Sequence, residues 1–204
     1  MRLSLFVCVL LIHGSALGVD YWDFPEELRE VLDERRTALD DRGGICLAGR
    51  VEFSDGEEID GGGDVKINLL AGANMCAKVY RGGGFILNRV ADARYARQRP
   101  HVVVRSFDYD PVDEKVRLEV GAITYVDYGM ERASKRDRCS VEGHVIDGEG
   151  YAIKAARVRL SFPHASLGSE NSPERVFRTT ADGAFVFESL SRGKYNVSAF
   201  KDRL

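Results

Sequence analysis

The side chains best suited to chemistry in this sequence are carboxylates, and they gather in two polar stretches. Residues 108–114 read Asp-Tyr-Asp-Pro-Val-Asp-Glu, which is short and typical of a turn. Ca²⁺ prefers hard oxygen ligands of this kind, about six to eight of them. The candidate Ca²⁺ ligands are Asp108, Asp110, Asp113 and Glu114. The alternative is a solvated surface loop, because acidic residues and glycine are common in turns.

A second acidic stretch covers residues 55–64 and is rich in glycine. Its carboxylates come from Asp55, Glu57, Glu58, Asp60 and Asp64. Neither stretch contains the Asp-x-Asp-x-Asp-Gly pattern of a helix–loop–helix Ca²⁺ site. The spacing alone therefore favours two solvated loops over a metal site.

No catalytic signature is present in the sequence. His101, His144 and His164 are scattered, and none is followed by Glu three residues later. The sequence also lacks the motifs of hydrolase nucleophile elbows, zinc-peptidase helices and phosphate-binding loops. A Ser/His/Asp triad forms in space, but no residue order here suggests one. We predict that the protein is not an enzyme and has neither catalytic residues nor a cofactor.

The cysteines are the other reactive side chains. Cys8 lies in the apolar N-terminal segment, which leaves Cys46, Cys76 and Cys139 in the remainder. Their spacing matches no zinc motif, and an odd count leaves at least one thiol without a partner for a disulfide. If the strands of Cys46 and Cys76 face each other, a disulfide is possible, with Cα atoms about 4.4–6.8 Å apart. The alternative is two buried thiols that behave as small apolar side chains.

The N-terminus has the three-part pattern of a secretory signal. Arg2 precedes an apolar run, and small residues follow up to Gly18, so residues 1–18 are predicted to be cleaved. The run is too short to span a bilayer, which takes about 20 residues. We expect a secreted or periplasmic protein with no membrane span after cleavage. The 204 residues carry a net charge of −3, which argues against nucleic acid as the main partner.

Residues 19–44 are predicted to form a short N-terminal helix. Asp23 and Glu26 match an Asp-x-x-Glu capping box, and Pro25 suits the first turn. Gly43 and Gly44 are expected to end the helix. One narrow face is apolar and is predicted to pack on the next domain; it comprises Leu28, Val31, Leu32, Ala38 and Leu39.

From residue 45 onward the pattern is one of short strands separated by turns. Asp182-Gly183 lies between residues that favour strands, and Gly183 can adopt the positive φ that a tight reversal needs. We predict a β-hairpin at this point. A similar stretch lies around Gly82–Gly84, which indicates an internal repeat. In this repeat Gly143 matches Gly49 and Phe185 matches Phe85.

The repeat indicates two similar β-domains. Its period is roughly a hundred residues, whereas solenoid units run about 20–50 residues. Short strands without long intervening helices favour antiparallel sandwiches. The predicted fold is mainly β, with two tandem antiparallel Ig-like sandwiches at 45–130 and 139–204, joined by a charged linker at 131–138. The core predicted for the second sandwich consists of Val158, Leu160, Phe185, Phe187, Tyr195 and Val197.

A set of short stretches in the second sandwich carries a family resemblance. These stretches are Gly143–Val145, Asp147–Gly150, Ala155–Leu160, Thr179–Phe187 and Gly193–Val197. Together they resemble the carboxypeptidase regulatory-like domain, a transthyretin-like and carbohydrate-binding-like β-sandwich. The resemblance covers most of residues 139–200 and extends weakly to 45–128. It implies a fold and an accessory role rather than an activity.

The resemblance also raises a question about the last strand. The family has a further strand after the segment that corresponds to Tyr195. Two alternatives follow: the sequence is a piece of a longer protein, or the second sandwich has an open edge. An open edge is a possible assembly site, because its backbone groups are available for pairing.

These observations predict an exported, non-catalytic structural or interaction module built from such domains. Its partner would be a protein or a cell-surface glycan. The alternative is a carbohydrate-binding protein that uses loops at one end of a sandwich. Binding to a panel of polysaccharides distinguishes the two, and a row of exposed aromatic side chains would favour the second.

Overall fold

The structure, a computed structural model, describes residues 24–70, 74–87, 90–163 and 173–201. Within these ranges one α-helix, α1 (Glu26–Arg42), precedes twelve strands. The first unit, as we call it, contains β1 (Cys46–Phe53), β2 (Lys66–Leu70), β3 (Asn74–Val79), β4 (Gly84–Leu87), β5 (His101–Arg105), β6 (Val112–Lys115) and β7 (Ile123–Met130). The second unit contains β8 (Cys139–His144), β9 (Arg157–Ser161), β10 (Glu174–Arg178), β11 (Ala184–Leu190) and β12 (Asn196–Phe200). Short 3-10 turns occupy Arg81–Gly83 and Ala93–Gln98. The predicted fold class, mainly β with one short N-terminal helix, is confirmed.

Helix α1 is attached to the first unit by its apolar face. Leu28, Leu32 and Leu39 are buried within the core of that unit, as predicted. The Leu28 side chain lies against Gly84, where the missing side chain leaves room for it at the start of β4. Across the described residues, no helix combines the length and the apolar character needed to cross a bilayer.

The two ends of α1 differ in how well the sequence predicts them. Gly43 ends the helix with a φ of 63°, and its N–H donates to the Leu39 carbonyl. At the other end the N-cap residue is Pro25, which offers no side-chain acceptor. The predicted cap, Asp23, lies outside the described residues.

The first unit forms one seven-stranded sheet in the order β6-β5-β2-β3-β4-β1-β7. Val102 on β5 and Met130 on β7 lie near opposite ends of this order but share one core, so the sheet curls around a single apolar cluster. Strand β7 runs parallel to β1, from the Cys46–Ile123 pair onward. This pair departs from the purely antiparallel arrangement that we predicted.

The direction of β7 follows from where it begins. The Gly121 N–H donates to the Gly44 carbonyl at 2.7 Å. This bond brings the chain back to the starting end of β1 before β7 forms. Since both strands then leave from the same end, they run in the same direction.

The second unit repeats the strand pairing of the first with fewer strands. Strand β9 lies between β10 and β12, as β2 lies between β3 and β5. Strand β8 pairs antiparallel with β11, as β1 pairs with β4. The residues predicted to match between the two units lie at equivalent positions. Gly143 is opposite Phe185, and Gly49 is opposite Phe85. Equivalents of β6 and β7 are not among the described residues of the second unit.

The turn at Gly183 forms as predicted, but its flanking strands do not pair as a hairpin. The Gly183 N–H donates to the Thr180 carbonyl, and the Thr180 N–H donates to the Ala184 carbonyl. Thr179 exchanges hydrogen bonds with Ala156, which keeps the end of β10 beside β9. Strand β11 pairs instead with β8. The turn therefore connects two different sheets.

The second unit has its own apolar cluster, and most of the predicted core lies in it. Val158, Leu160 and Phe187 are buried, while Phe185 and Tyr195 are half-buried against them. Val197 is 45% exposed, so its prediction as a core residue is wrong. One buried member of the cluster comes from outside the second unit. This residue is Phe107, which follows β5.

Candidate interaction site

The four carboxylates of the 108–114 stretch lie in different surroundings. Both oxygens of Asp108 accept hydrogen bonds from Arg175 Nη2, at 2.9 and 2.8 Å. Asp113 on β6 lies 2.6 Å from His101 Nδ1, and Glu114 follows it on the strand. Asp110 is exposed. The structure therefore does not bring these candidate ligands together at one point. In the part of the chain that it describes, no three acidic, His or Cys side chains are grouped for a metal ion.

Part of the second acidic stretch contacts a buried tyrosine. The Tyr109 hydroxyl donates to Asp55 Oδ1 at 3.0 Å and to Glu57 Oε2 at 2.8 Å. Its ring stacks on Phe53, with 3.7 Å between the ring centroids. Burial first, and then the two carboxylates, raise the pKa of Tyr109 above its ordinary value, so the hydroxyl keeps its proton. Arg132 pairs with Asp55 at 3.2 Å and offsets part of the negative charge. This arrangement fixes the loop between β1 and β2 against the segment that follows β5.

The other carboxylates of residues 55–64 contact Arg81 or the backbone of the same loop. Arg81 Nε pairs with Glu58 at 3.0 Å and lies 3.8 Å from Asp60. The Asp60 N–H donates to Asp64 Oδ2 at 2.7 Å. All three side chains of the ion pairs are more than half exposed, so their contribution to stability is small. We assign this loop a structural role.

The structure does not join Cys46 to Cys76 in the predicted disulfide. Strand β4 lies between their strands in the same sheet. Two strand spacings amount to about 9–10 Å, which exceeds the roughly 7 Å limit between the Cα atoms of a disulfide. Cys76 Sγ lies 3.1 Å from Asn68 Oδ1. The prediction assumed strands that face each other across a sandwich, whereas these strands belong to one sheet.

Stability in alkaline solution is expected to depend on Cys46. Burial raises the pKa of its thiol to about 11, from 9.0. Between these values the unfolded thiol ionises while the folded one keeps its proton. The free energy of unfolding should therefore fall as pH rises from 9 to 11, by up to about 1.4 kcal/mol per pH unit. Urea denaturation at pH 8, 9.5 and 11 measures the slope.

The matched variants for this prediction are Cys46→Ala and Cys139→Ala. The buried tyrosines contribute to the alkaline slope in every variant, so the comparison isolates the thiol. Cys46→Ala should flatten the slope, and Cys139→Ala, which removes an exposed thiol, is the control. Equal slopes in all three proteins would contradict a protonated, buried Cys46.

The two units meet at a junction formed by Ser106, Phe107 and Asp108 from the first and Arg175 and Ser191 from the second. The Ser191 N–H donates to the Phe107 carbonyl at 2.7 Å, and its hydroxyl donates to the Ser106 carbonyl at 2.9 Å. The Arg175 guanidinium binds Asp108 and lies 5.0 Å from the centre of the Phe107 ring. Backbone hydrogen bonds, an ion pair and a cation–π contact thus hold Ser106, Phe107 and Asp108 against the second unit.

The Phe107 ring is the apolar centre of this junction. Its centroid lies 4.7 Å from that of Phe162 and 6.0 Å from that of Tyr195. Sequence reasoning missed this role, because Phe107 reads as the last residue of a strand in the first unit. The sequence offers one indication, a bulky aromatic residue beside a polar turn. This pattern does not show in which of the two apolar cores the ring packs.

The chain has few similarities to known proteins. No family model matches it, and no curated protein matches it in sequence. Among solved structures, it is similar to a streptococcal ancillary pilin (13% identity, TM-score 0.29, 79% of this chain and 54% of that one). It is also similar to the TIE protein of Bacillus anthracis (15% identity, TM-score 0.30, 76% of this chain and 28% of that one). The chain therefore spans about half and about a quarter of these two proteins. Likenesses this distant carry no argument about function, and the chain stands as a mainly β protein with sandwich-like sheets.

Proposed function

We propose that the chain is an exported, non-catalytic structural or interaction module made of two carboxypeptidase regulatory-like sandwiches. In this proposal residues 1–18 are a cleaved signal, 45–130 and 139–204 are the domains, and 131–138 is the linker. The observation that carries the proposal is the junction. A rigid connection between two sandwiches is what a spacer or scaffold requires, since a flexible one transmits neither position nor force.

The chemistry of the polar groups supports a non-catalytic role. Asp108, Asp55 and Tyr109 form hydrogen bonds that connect different structural elements. A cleft beside the junction, lined by Val103, Arg105 and other residues, measures about 120 Å³. Small-molecule sites usually measure about 300–1,000 Å³. A second depression measures about 510 Å³ but is open to solvent, so the described surface favours a protein partner over an enclosed small substrate; it is lined by Lys135, Arg138, Cys139, Ser140 and Ser189.

The glycan-binding alternative lacks support from the exposed aromatic side chains. Tyr125, Tyr151 and Phe200 are the large aromatic residues on the described surface, and they are 39%, 68% and 49% exposed. They lie on β7, on a loop after β8 and on β12. A sugar platform needs two or three such rings side by side. Saturable binding on a glycan array would nevertheless decide in favour of the alternative.

The junction can be tested with Arg175→Met. This change removes the two hydrogen bonds to Asp108 and should weaken the junction by roughly 1–2 kcal/mol, because the pair is partly exposed. ¹⁵N relaxation of the wild-type chain should give one rotational correlation time for both units. In Arg175→Met the Phe107 and Ser191 contacts remain, so the two units should still tumble together while residues 106–108 and 189–192 show increased internal motion.

Arg159→Met is the matched control for this test. Arg159 lies on the neighbouring strand, and its ion pair with Glu174 stays within the second unit. Its loss should leave the relaxation of the two units unchanged. Independent tumbling of the units in the wild-type chain would overturn the proposal of a rigid module.

A further inference from the structure

Two basic side chains lie opposite each other on β2 and β5. Lys66 pairs with Arg105 in the register of these antiparallel strands. Residues directly opposite share one face, with Cβ atoms about 4.5–5.5 Å apart, and like charges at such positions repel each other. The other face of the same strands places Ile67 and Val104 in the core of the first unit. Lys66 and Arg105 therefore share the face that is turned away from this core.

Lys66 is a buried cation without a partner in the described part of the chain. It is 5% exposed, and its Nζ has no hydrogen-bond partner there. Burial lowers the pKa of Lys66; the nearby Arg105 charge also lowers it, while Cys76 acts in the opposite direction. A buried charge is costly unless an opposite charge compensates it. This pair of strands thus has an excess of positive charge that an anion would stabilise.

The cleft beside the junction adds cations from the second unit. Val103 and Arg105 of β5 line one side of it. Arg192 and Lys194 line it from the turn between β11 and β12. Three basic side chains from both units therefore meet at a cleft of about 120 Å³.

The acidic side chains near the cleft are engaged with other groups. Asp113 is the one carboxylate among the lining residues, and its Oδ1 lies 2.6 Å from His101 Nδ1. Asp137 pairs with Arg192 at 3.0 Å. The other two lining cations have no ion pair with an acidic residue in the described part of the chain. The local charge is therefore positive, although the chain as a whole carries −3.

The size and the donors of the cleft indicate the class of ligand. Sites for organic ligands usually measure about 300–1,000 Å³, so this cleft suits a much smaller group. Guanidinium and ammonium groups form short, charge-assisted hydrogen bonds with phosphate and similar oxyanions. A small anion with several oxygen atoms can accept such bonds from both sides of the cleft.

We propose that the cleft between the two units binds a small tetrahedral oxyanion, phosphate or sulfate, through Arg105, Arg192 and Lys194. Lys66 does not line the cleft and adds the attraction of its buried charge. The bound anion would contact both units at once and offset the repulsion among their cations. The proposal goes beyond the proposed function, since a rigid module of two sandwiches does not require a bound ion.

The test uses the full chain and inorganic phosphate, with chloride keeping the ionic strength constant. Amide NMR signals of Arg105 and of residues 192–194 should shift saturably with phosphate. The urea midpoint should rise with phosphate concentration as mass action requires, because the ligand binds the folded state. Inorganic sulfate should act in the same way.

Arg105→Gln should weaken phosphate binding by about tenfold or more, because it removes a charge-assisted donor. Lys194→Gln should also weaken it, and this position is exposed, so the variant is expected to fold. Arg117→Gln is the control. It removes the same charge from an exposed residue that does not line the cleft, and binding should be unchanged.

Lys66→Met provides an independent readout. In chloride alone it should raise the urea midpoint, because it replaces an uncompensated buried charge with an apolar side chain of similar length. The further rise that phosphate produces should be smaller than in the wild-type chain. A lower midpoint together with an unchanged phosphate effect would contradict the role given to Lys66.

Two other results would overturn the proposal. One is an equal effect of phosphate and chloride at the same ionic strength, which would mean general screening of charge. The other is equal weakening by Arg117→Gln and Lys194→Gln, which would mean that net charge rather than the cleft determines binding. The relaxation test at Arg175 is made in chloride without phosphate, so the two proposals can fail separately.

Discussion

Gly49→Ala should destabilise the first unit by about 3 kcal/mol or more, because the new methyl group would collide with the backbone of β7. The Cβ position lies 1.8 Å from the Val126 carbonyl oxygen and 2.8 Å from its carbon. A backbone in the middle of a parallel pair cannot give way without disturbing the register on both sides. Urea denaturation followed by circular dichroism measures the loss, and low soluble yield would point the same way.

Gly143→Ala is the matched change in the second unit. There the close atoms belong to the Phe185 ring, at 2.9 and 3.0 Å, and a half-buried ring can shift. The cost should be about 1 kcal/mol, near the lower end of what overpacking costs. If the two glycine variants lose the same stability, contact with β7 is not the reason for glycine at this register.

Phe107→Ala should cost about 3–5 kcal/mol, the range for removal of a buried aromatic side chain. Phe107 is 6% exposed and packs among the core residues of the second unit. The loss should therefore appear in β8–β12, although the residue itself follows β5. Hydrogen exchange by mass spectrometry should show reduced protection in the second unit and little change in the first.

Phe200→Ala provides the control for that experiment. Phe200 is also in the second unit but is 49% exposed, with Arg159 lying 5.5 Å from the centre of its ring. Its removal should cost at most about 1 kcal/mol, the size of an exposed cation–π contact. Loss of protection confined to the first unit in Phe107→Ala would refute the assignment of this ring to the second core.

Local features of the fold were predictable because local rules determine them. Gly43 ends α1, and Gly183 turns the chain. Each depends on a few neighbouring residues, so propensity and spacing are enough to find it.

Features that depend on distant segments were not predictable. Alternation places Val197 on the same side as Leu160, but it does not show that Val197 is 45% exposed. The spacing of Cys46 and Cys76 does not reveal that β4 lies between their strands. The candidate Ca²⁺ ligand Asp108 pairs instead with Arg175, which lies far away in the sequence. Long-range pairing decides each of these cases, and single-sequence periodicity does not contain it.

The position of Phe107 has a consequence for the order in which the chain folds. During synthesis the N-terminal part of a protein emerges and folds first. Because the chain emerges N-terminus first, the first unit can fold before β8–β12 are available, and the second apolar cluster can then assemble around Phe107. The first unit thus serves as an intramolecular template. Exchanging the order of the two units in the gene would remove that assistance while keeping every residue.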